Sequence, residues 1–124
     1  MDIDNLTFII TTYKSEGTIY KCLNSLPKRN IKIVVENSNN SELKKNLEKK
    51  YENLKCYLME SNVGYGKANN FGIRISKSDY NFILNPDTIL FENTVEELCK
   101  NLKNENFSIA APIDYKDQNK YNFN

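Results

Sequence analysis

The feature that most constrains the fold is a regular alternation of short β-favouring apolar runs with longer segments whose apolar residues recur at helical spacing. The predicted strands cover residues 6–10, 31–35, 54–59, 80–84 and 108–111. The predicted helical stripes consist of Ile19, Cys22, Leu23 and Leu26; Leu43, Leu47 and Tyr51; Ala68, Phe71 and Ile75; and Val95, Leu98, Cys99 and Leu102. Because strands that alternate with helices pair in parallel, the sequence predicts an α/β, Rossmann-like, mainly parallel sheet with helices on both faces.

Two local boundaries follow from the same pattern. Asn39 is followed three residues later by Glu42, which predicts a capping box at the start of the second helix. Residues 114–124 are polar and without period, so we expect a domain over residues 1–113 followed by a polar tail.

Chain length and charge exclude several classes of protein. The 124 residues suffice for one domain, and 17 basic and 16 acidic side chains are interspersed along the chain, which predicts no nucleic-acid partner and no polybasic membrane tract. No apolar run approaches the ~20 residues that span a bilayer, and no basic segment precedes an apolar one at the N-terminus. We therefore expect a cytoplasmic protein.

The sequence restricts which types of side chain can bind a metal or act as a nucleophile. The three cysteines are far apart, which predicts neither a disulfide framework nor a zinc site. The chain has no histidine, which excludes a Ser-His-Asp triad, a Cys-His pair and any histidine-bound metal. Carboxylates and amides remain as ligands, and these favour Mg²⁺, Mn²⁺ or Ca²⁺.

Polar residues gather where each of the first four predicted strands ends, at positions 11–13, 36–38, 62–66 and 85–88. The carboxyl ends of parallel strands share one edge of a sheet, so these loops should line one crevice. Asp87 follows an apolar strand and Pro86, which makes it a candidate for binding a metal or phosphate. Asp and Pro are also common at turns and helix starts, and that reading stays open.

Three further candidates carry alternatives. Gly64 allows unusual backbone angles before a helix whose first N–H groups could face an anion, or it forms a plain turn. Glu36 either accepts hydrogen bonds from a ribose or base or is an exposed loop carboxylate. Tyr13 either stacks on a base or covers the end of the sheet. A dinucleotide-binding motif is excluded, because Asn69 stands where a third glycine is needed and the segment follows the third strand.

Taken together, residues 8–14, 34–38, 62–72 and 85–87 resemble, in order and spacing, the nucleotide-sugar-binding N-terminal half of the family 2 glycosyltransferases, which have the GT-A fold. The Asn85, Pro86, Asp87 version of the metal motif is similar to that of the rhamnosyltransferase-like branch, which builds bacterial surface polysaccharides. The resemblance implies an inverting enzyme that transfers a sugar from a nucleoside diphosphate sugar (UDP-, dTDP- or GDP-linked) to a surface-polysaccharide or lipid-linked acceptor.

The resemblance also implies roles for individual residues. Those expected to bind the nucleotide sugar are Thr11, Thr12, Tyr13, Glu36, Asn37, Gly64, Asn70 and Asn85. Glu36 stands where the family usually has Asp, which contacts the base and ribose. Asp87 is expected to hold Mg²⁺ or Mn²⁺ bridging the diphosphate, with Asn85 in place of the motif's first acid.

Family members continue for about as long again, so the resemblance implies a truncated enzyme. Residues 114–124 would begin the acceptor-binding half, and the general base would lie beyond Asn124. The full-length enzyme would associate peripherally with the inner face of the membrane, and the chain alone would self-associate to cover its sheet edge. The alternative is a noncatalytic nucleotide-binding or subunit-pairing module of the same fold.

Overall fold

Four strands form the main sheet in the structure, a computed structural model that describes residues 1–112, 114–117 and 120–122. They are β1 (Leu6–Thr12), β2 (Ile31–Glu36), β3 (Leu54–Leu58) and β4 (Tyr80–Leu84). Their order across the sheet is β3-β2-β1-β4, and every neighbouring pair is parallel. The predicted parallel α/β sheet is therefore confirmed.

Helices cover both faces of this sheet, as predicted. They are α1 (Ile19–Asn24), α2 (Ser41–Lys50), α3 (Tyr65–Ile75) and α4 (Thr94–Asn101), and a 3₁₀ turn (Ile3–Asn5) precedes β1. Buried residues of α1, α2 and α4 share one core with one face of the sheet, and α3 packs on the other face. Within the described residues, no helix combines the length and apolarity needed to cross a bilayer.

The first strand forms the centre of the fold, because every side chain of β1 is buried. Side chains alternate between the faces of a strand, so Phe8 lies in the larger core and Ile9 lies under α3. The ring of Phe8 lies 5.5 Å from that of Phe82 on β4, centroid to centroid. A continuous apolar run of this kind is typical of a parallel strand covered on both sides.

Glycine 72 allows α3 to lie close to the sheet. A Cβ atom built at this position would be 2.6 Å from Cγ2 of Ile9 and 3.4 Å from Cγ2 of Val35. The first distance is shorter than real Cβ contacts, so any larger side chain would have to push the helix away or displace Ile9. The close approach of α3 thus depends on the absence of a side chain at one helix position.

The start of α2 differs from the prediction by one residue. The N-cap is Asn40, whose Oδ1 accepts a hydrogen bond from Leu43 N at 3.0 Å, and the predicted cap at Asn39 is wrong. Asn39 instead adopts a left-handed conformation with φ 53°. Asparagine tolerates that region better than most residues, so the turn takes up Asn39 and the next asparagine caps the helix.

The predicted fifth strand is also wrong, because residues 108–111 are irregular. Ile109 is 91% exposed, so this short apolar run has no buried surface to hold it in a sheet. A separate antiparallel pair follows, formed by β5 (Asp114–Asp117) and β6 (Lys120–Asn122). The predicted domain end at residue 113 and positions 118, 119, 123 and 124 of the predicted tail lie outside the described residues.

Replacing Gly72 with alanine should lower the free energy of unfolding by about 1–3 kcal/mol, because the added methyl group overpacks the contact with Ile9. The matched control is Gly66→Ala in the same helix, where nothing lies within 4 Å of the added Cβ. Alanine there should raise stability by about 0.5–1 kcal/mol through helix propensity. Urea denaturation measures both, and equal stabilities for the two variants would contradict the close packing of α3.

Candidate functional site

The carboxyl ends of the four parallel strands meet at one edge of the sheet. Thr12 at the end of β1 pairs with Glu36 at the end of β2, and Glu36 pairs in turn with Leu58 of β3. On the other side of β1, Ile10 pairs with Leu84, the last residue of β4. This register brings the four polar loops predicted from the sequence to the same edge.

Glu36 is fully buried, and its carboxylate accepts four hydrogen bonds from neighbouring protein groups. Oε2 accepts from the backbone N–H of Ser38 at 3.0 Å and of Asn40 at 2.8 Å. Oε1 accepts from the hydroxyl of Thr12 at 3.2 Å and from that of Ser38 at 2.6 Å. The carboxylate therefore joins the end of β1 to the loop between β2 and α2.

Asn37 is almost as deeply buried and connects three of the four loops. Its backbone N–H donates to the carbonyl of Thr12 at 2.8 Å, and its Nδ2 donates to the carbonyl of Gly64 at 3.3 Å. Its Oδ1 accepts from the N–H of Val63 at 3.4 Å. Gly64 has φ 88°, a left-handed conformation that favours glycine, and α3 begins at the next residue.

A buried hydrogen bond ties β1 to α3 just below this edge. The hydroxyl of Thr11 donates to Oδ1 of Asn69 at 2.7 Å, and both side chains are buried. Asn69 was not among the residues predicted from the sequence. Its position beside Ala68 on the apolar stripe of α3 was the available signal, because a polar residue on a buried helix face needs a partner.

The loop after β1 carries an exposed ring. Tyr13 is 49% exposed, and Nζ of Lys14 lies 5.3 Å from the centroid of its ring. Lys14 adopts a left-handed conformation with φ 52°, and its N–H donates to the hydroxyl of Ser38 at 3.4 Å. Residues 13–16, the Tyr13 loop, are therefore held against residues 37–40, whose backbone bonds to Glu36.

The loop after β4 is a tight turn closed by the N–H of Thr88, which donates to the carbonyl of Asn85 at 3.1 Å. The hydroxyl of Tyr65, at the start of α3, donates to Oδ1 of Asn85 at 2.6 Å. Asp87 is exposed within this turn. Tyr65 was not predicted as a site residue, and the sequence placed it only within a glycine-flanked loop.

A buried thiol lies beneath the same turn. Sγ of Cys22 donates to the carbonyl of Asn85 at 3.7 Å. Burial and, to a smaller extent, the negative charge of Asp87 raise the pKa of the Cys22 thiol to about 11. The thiol is thus protonated at neutral pH and serves as a donor to the backbone of the turn.

Asp87 offers a single carboxylate to a cation. Among the described residues, no group of three or more His, Cys, Asp and Glu side chains comes together as a metal cage. Mg²⁺ is commonly bound through one or two carboxylates together with substrate phosphates and water. The residues present fit a cation of that kind, which would draw most of its ligands from a bound phosphate and from solvent.

The predicted site residues fall into two groups. The first group is buried, makes its side-chain hydrogen bonds within the protein, and comprises Thr11, Thr12, Glu36 and Asn37. The second group is exposed: Tyr13, Gly64, Asn85 and Asp87 lie in the loops at this edge, and Asn70 lies in the middle of α3. Contact between any of these residues and a ligand stays a prediction.

The edge itself is open to solvent. Cavities of about 260 and 360 Å³ occur elsewhere, one beside the end of α1 and the start of α4, the other beside Lys32 and Tyr51. Neither is lined by a predicted site residue.

Comparison with known proteins gives a consistent result. Residues 7–124 match the sequence model of glycosyl transferase family 2. The chain is 32% identical over 114 residues to the low-salt glycan biosynthesis hexosyltransferase Agl10 of Haloferax volcanii, an alignment that covers 89% of this chain and 36% of that protein.

Solved structures share the fold. The crystal structure of S. aureus TarS 1-349 superposes with a TM-score of 0.69 at 22% identity, over 90% of this chain and 40% of that one. The same protein in complex with UDP superposes with a TM-score of 0.66 at 22% identity, over 79% of this chain and 32% of that one. The chain therefore spans well under half the length of these similar proteins.

Replacing Thr11 with valine should lower the free energy of unfolding by about 1–3 kcal/mol, because Oδ1 of Asn69 stays buried and loses its donor. Adding Asn69→Leu removes the acceptor as well, so the double variant should lose less than the sum of the two single losses. Urea denaturation of the parent, the two single variants and the double variant measures this cycle. If the two single losses of stability simply add in the double variant, the hydrogen bond between Thr11 and Asn69 contributes no coupling free energy.

Proposed function

This chain belongs to glycosyl transferase family 2, and we propose that it is the donor-binding part of an inverting glycosyltransferase that passes a sugar from a nucleoside diphosphate sugar to a surface-polysaccharide or lipid-linked acceptor. One observation carries the proposal beyond the family match. Four polar loops lie at the carboxyl edge of one parallel sheet and are joined by side-chain hydrogen bonds, among them those of Glu36 and Asn37. In open α/β sheets, ligands bind at that edge.

The nucleotide would lie over the ends of β1 and β2. Tyr13 offers a half-exposed ring on which a base can stack, and such stacking tolerates different bases. The complex of S. aureus TarS with UDP supports a nucleoside diphosphate as the ligand class. We propose UDP-, dTDP- or GDP-linked sugars as donors, with Gly64 and Asn70 bordering the sugar diphosphate.

The diphosphate would lie near the turn after β4, where Asp87 would hold Mg²⁺ or Mn²⁺. Such a cation neutralises the charge that develops on the leaving nucleoside diphosphate. Asn85 orients this turn through Tyr65 and through its own carbonyl. The exposed carboxylate of Asp87 supports this assignment because it accepts no hydrogen bond from another described residue that would have to be broken.

The acceptor and the general base are assigned to no described residue. Inverting transfer needs a base to take the proton of the acceptor hydroxyl. The resemblance puts that group in the acceptor-binding half of family members, and this chain spans 36% of the length of the hexosyltransferase that it resembles. We propose that the complete enzyme works in the cytoplasm, at the inner face of the membrane.

A noncatalytic, subunit-pairing module is the second candidate, and the exposure of the outermost strand, β4, favours it. β4 is the last strand of the order β3-β2-β1-β4, and Ile83 on this strand is 43% exposed. An apolar edge strand is a template for pairing with another chain. A stable dimer by light scattering, combined with no nucleotide binding, would favour this candidate over the enzyme.

Nucleotide binding should raise the melting temperature. A ligand at 100 times its dissociation constant stabilises a folded protein by about 2.7 kcal/mol, so UDP, dTDP or GDP with Mn²⁺ should give a measurable shift by differential scanning fluorimetry. EDTA should reduce that shift, because the diphosphate loses its cation. No shift with any of the three nucleotides at millimolar concentration would count against donor binding.

Asp87→Asn should abolish the Mn²⁺-dependent part of the shift and leave the metal-free part, because an amide keeps the size of the side chain and loses its charge. The control is Glu60→Gln, which removes one exposed carboxylate from another loop following a strand of the same sheet. Isothermal titration calorimetry with UDP in the presence and absence of Mn²⁺ separates the two parts. A metal-dependent gain that survives in Asp87→Asn would remove this residue from the metal site.

A further inference from the structure

We infer that Glu36 is a positioning residue whose buried carboxylate holds residues 37–40 and the Tyr13 loop in place and does not itself touch the nucleotide. The part that concerns the nucleotide rests on the proposed function. The part that concerns the loop stands on the geometry of the carboxylate alone.

The hydrogen-bonding capacity of the carboxylate is full. An ionised carboxylate offers about four lone-pair sites, two on each oxygen. In Glu36 each oxygen accepts two hydrogen bonds, from two backbone N–H groups on Oε2 and from two hydroxyl groups on Oε1. A ribose hydroxyl or a base N–H could bond to Glu36 only by displacing one of these donors. With none of its surface exposed, the side chain also offers a ligand no direct approach.

The surroundings explain how a buried charge is tolerated here. The ion pairs of the described residues do not include Glu36. Its carboxylate instead lies against the N-terminus of α2, where Oε2 binds the N–H of the cap residue Asn40 and where the helix dipole favours a negative charge. Two charge-assisted bonds to backbone N–H groups replace the missing cation.

The bonds of Glu36 propagate to the exposed part of the edge. Ser38, held by two bonds to the carboxylate, accepts the N–H of Lys14 at 3.4 Å through its hydroxyl. Asn40, held by a third bond, caps α2 and donates from Nδ2 to Oε1 of Glu16 at 2.6 Å. Residues 13–16, which include the exposed ring of Tyr13, are thus tied to the carboxylate through two intermediaries.

The chemistry of the four donors predicts which substitution of Glu36 disturbs the loop more. Glu36→Gln can satisfy all of them, because its Oε1 can accept the two backbone N–H groups while its NH₂ donates to the hydroxyls of Thr12 and Ser38, which rotate to accept. Glu36→Asp is one methylene shorter and cannot reach both sets of donors. A positioning role therefore predicts that Glu36→Gln keeps residues 37–40 and the Tyr13 loop in place and that Glu36→Asp does not. A carboxylate that contacted the nucleotide would show the reverse order.

Two measurements on the whole chain test this inference, with Glu42→Gln, an exposed carboxylate in the first turn of α2, as the matched control. Hydrogen exchange followed by NMR reports the N–H groups of Ser38 and Asn40 without any ligand. We expect protection to fall at least about tenfold in Glu36→Asp, the equivalent of about one lost hydrogen bond, and to stay within about threefold of the parent in Glu36→Gln. Unchanged protection in Glu36→Asp would overturn the loop-positioning part.

The second measurement is the dissociation constant of UDP by calorimetry, made well below the melting temperature of each variant. We expect about tenfold weaker binding in Glu36→Asp and parental binding in Glu36→Gln and Glu42→Gln. Parental binding in Glu36→Asp with a loss in Glu36→Gln would overturn the inference in favour of direct contact. If the parent binds no UDP, the proposed function fails, and the exchange data alone then test whether Glu36 positions the loop.

A third variant keeps the test decisive if Glu36→Asp does not fold. Ser38→Ala removes one hydroxyl donor and the acceptor for the N–H of Lys14 while it leaves the carboxylate intact. We expect faster exchange at the N–H of Lys14 and weaker UDP binding. Exchange and binding equal to those of the parent would show that the Tyr13 loop does not depend on its link through Ser38 to Glu36.

Discussion

The complete burial of β1 is the constraint on which the rest of the structure depends. A strand with apolar side chains on both faces needs a cover on each, and α3 on one side and the other helices on the opposite side supply it. Its two edges need partners as well, and β2 and β4 provide parallel ones. Once β1 is enclosed in this way, its carboxyl end is where it can present polar groups to solvent, and the candidate site lies there.

The edge is built in two levels. The lower level consists of buried polar side chains, of which Thr11, Glu36 and Asn37 bond across from one loop or element to another. The upper level consists of exposed groups such as Tyr13 and Asp87, which have few protein contacts of their own. Fully satisfied buried networks make a loop rigid, so the lower level can fix where the upper level stands. Loops held in this way can bind a ligand without first becoming ordered, which lowers the cost of binding.

Periodicity was sufficient to predict the four parallel strands, the four helices and the edge at which the loops meet, and the family resemblance is confirmed by the match over residues 7–124. It failed at residues 108–111, because a short apolar run does not reveal whether anything covers it. It also could not tell buried site residues from exposed ones. One of the four donors to the buried carboxylate of Glu36 is the hydroxyl of Thr12, which lies 24 residues away in the chain, and no local sequence pattern reveals that contact.

The position of β4 beside β1 has a consequence for synthesis. Thr7 and Ser78, whose hydroxyls lie 2.7 Å apart, are separated by 71 residues, and β2 and β3 are made in between. At about 5–20 residues per second, a ribosome needs roughly 4–14 s to travel that distance. During this interval β1, the strand whose side chains are all buried in the finished fold, has a partner on only one edge. The nascent chain therefore passes through a stage in which β1 itself is an open edge strand, and protection from aggregation at that stage must come from outside the finished fold.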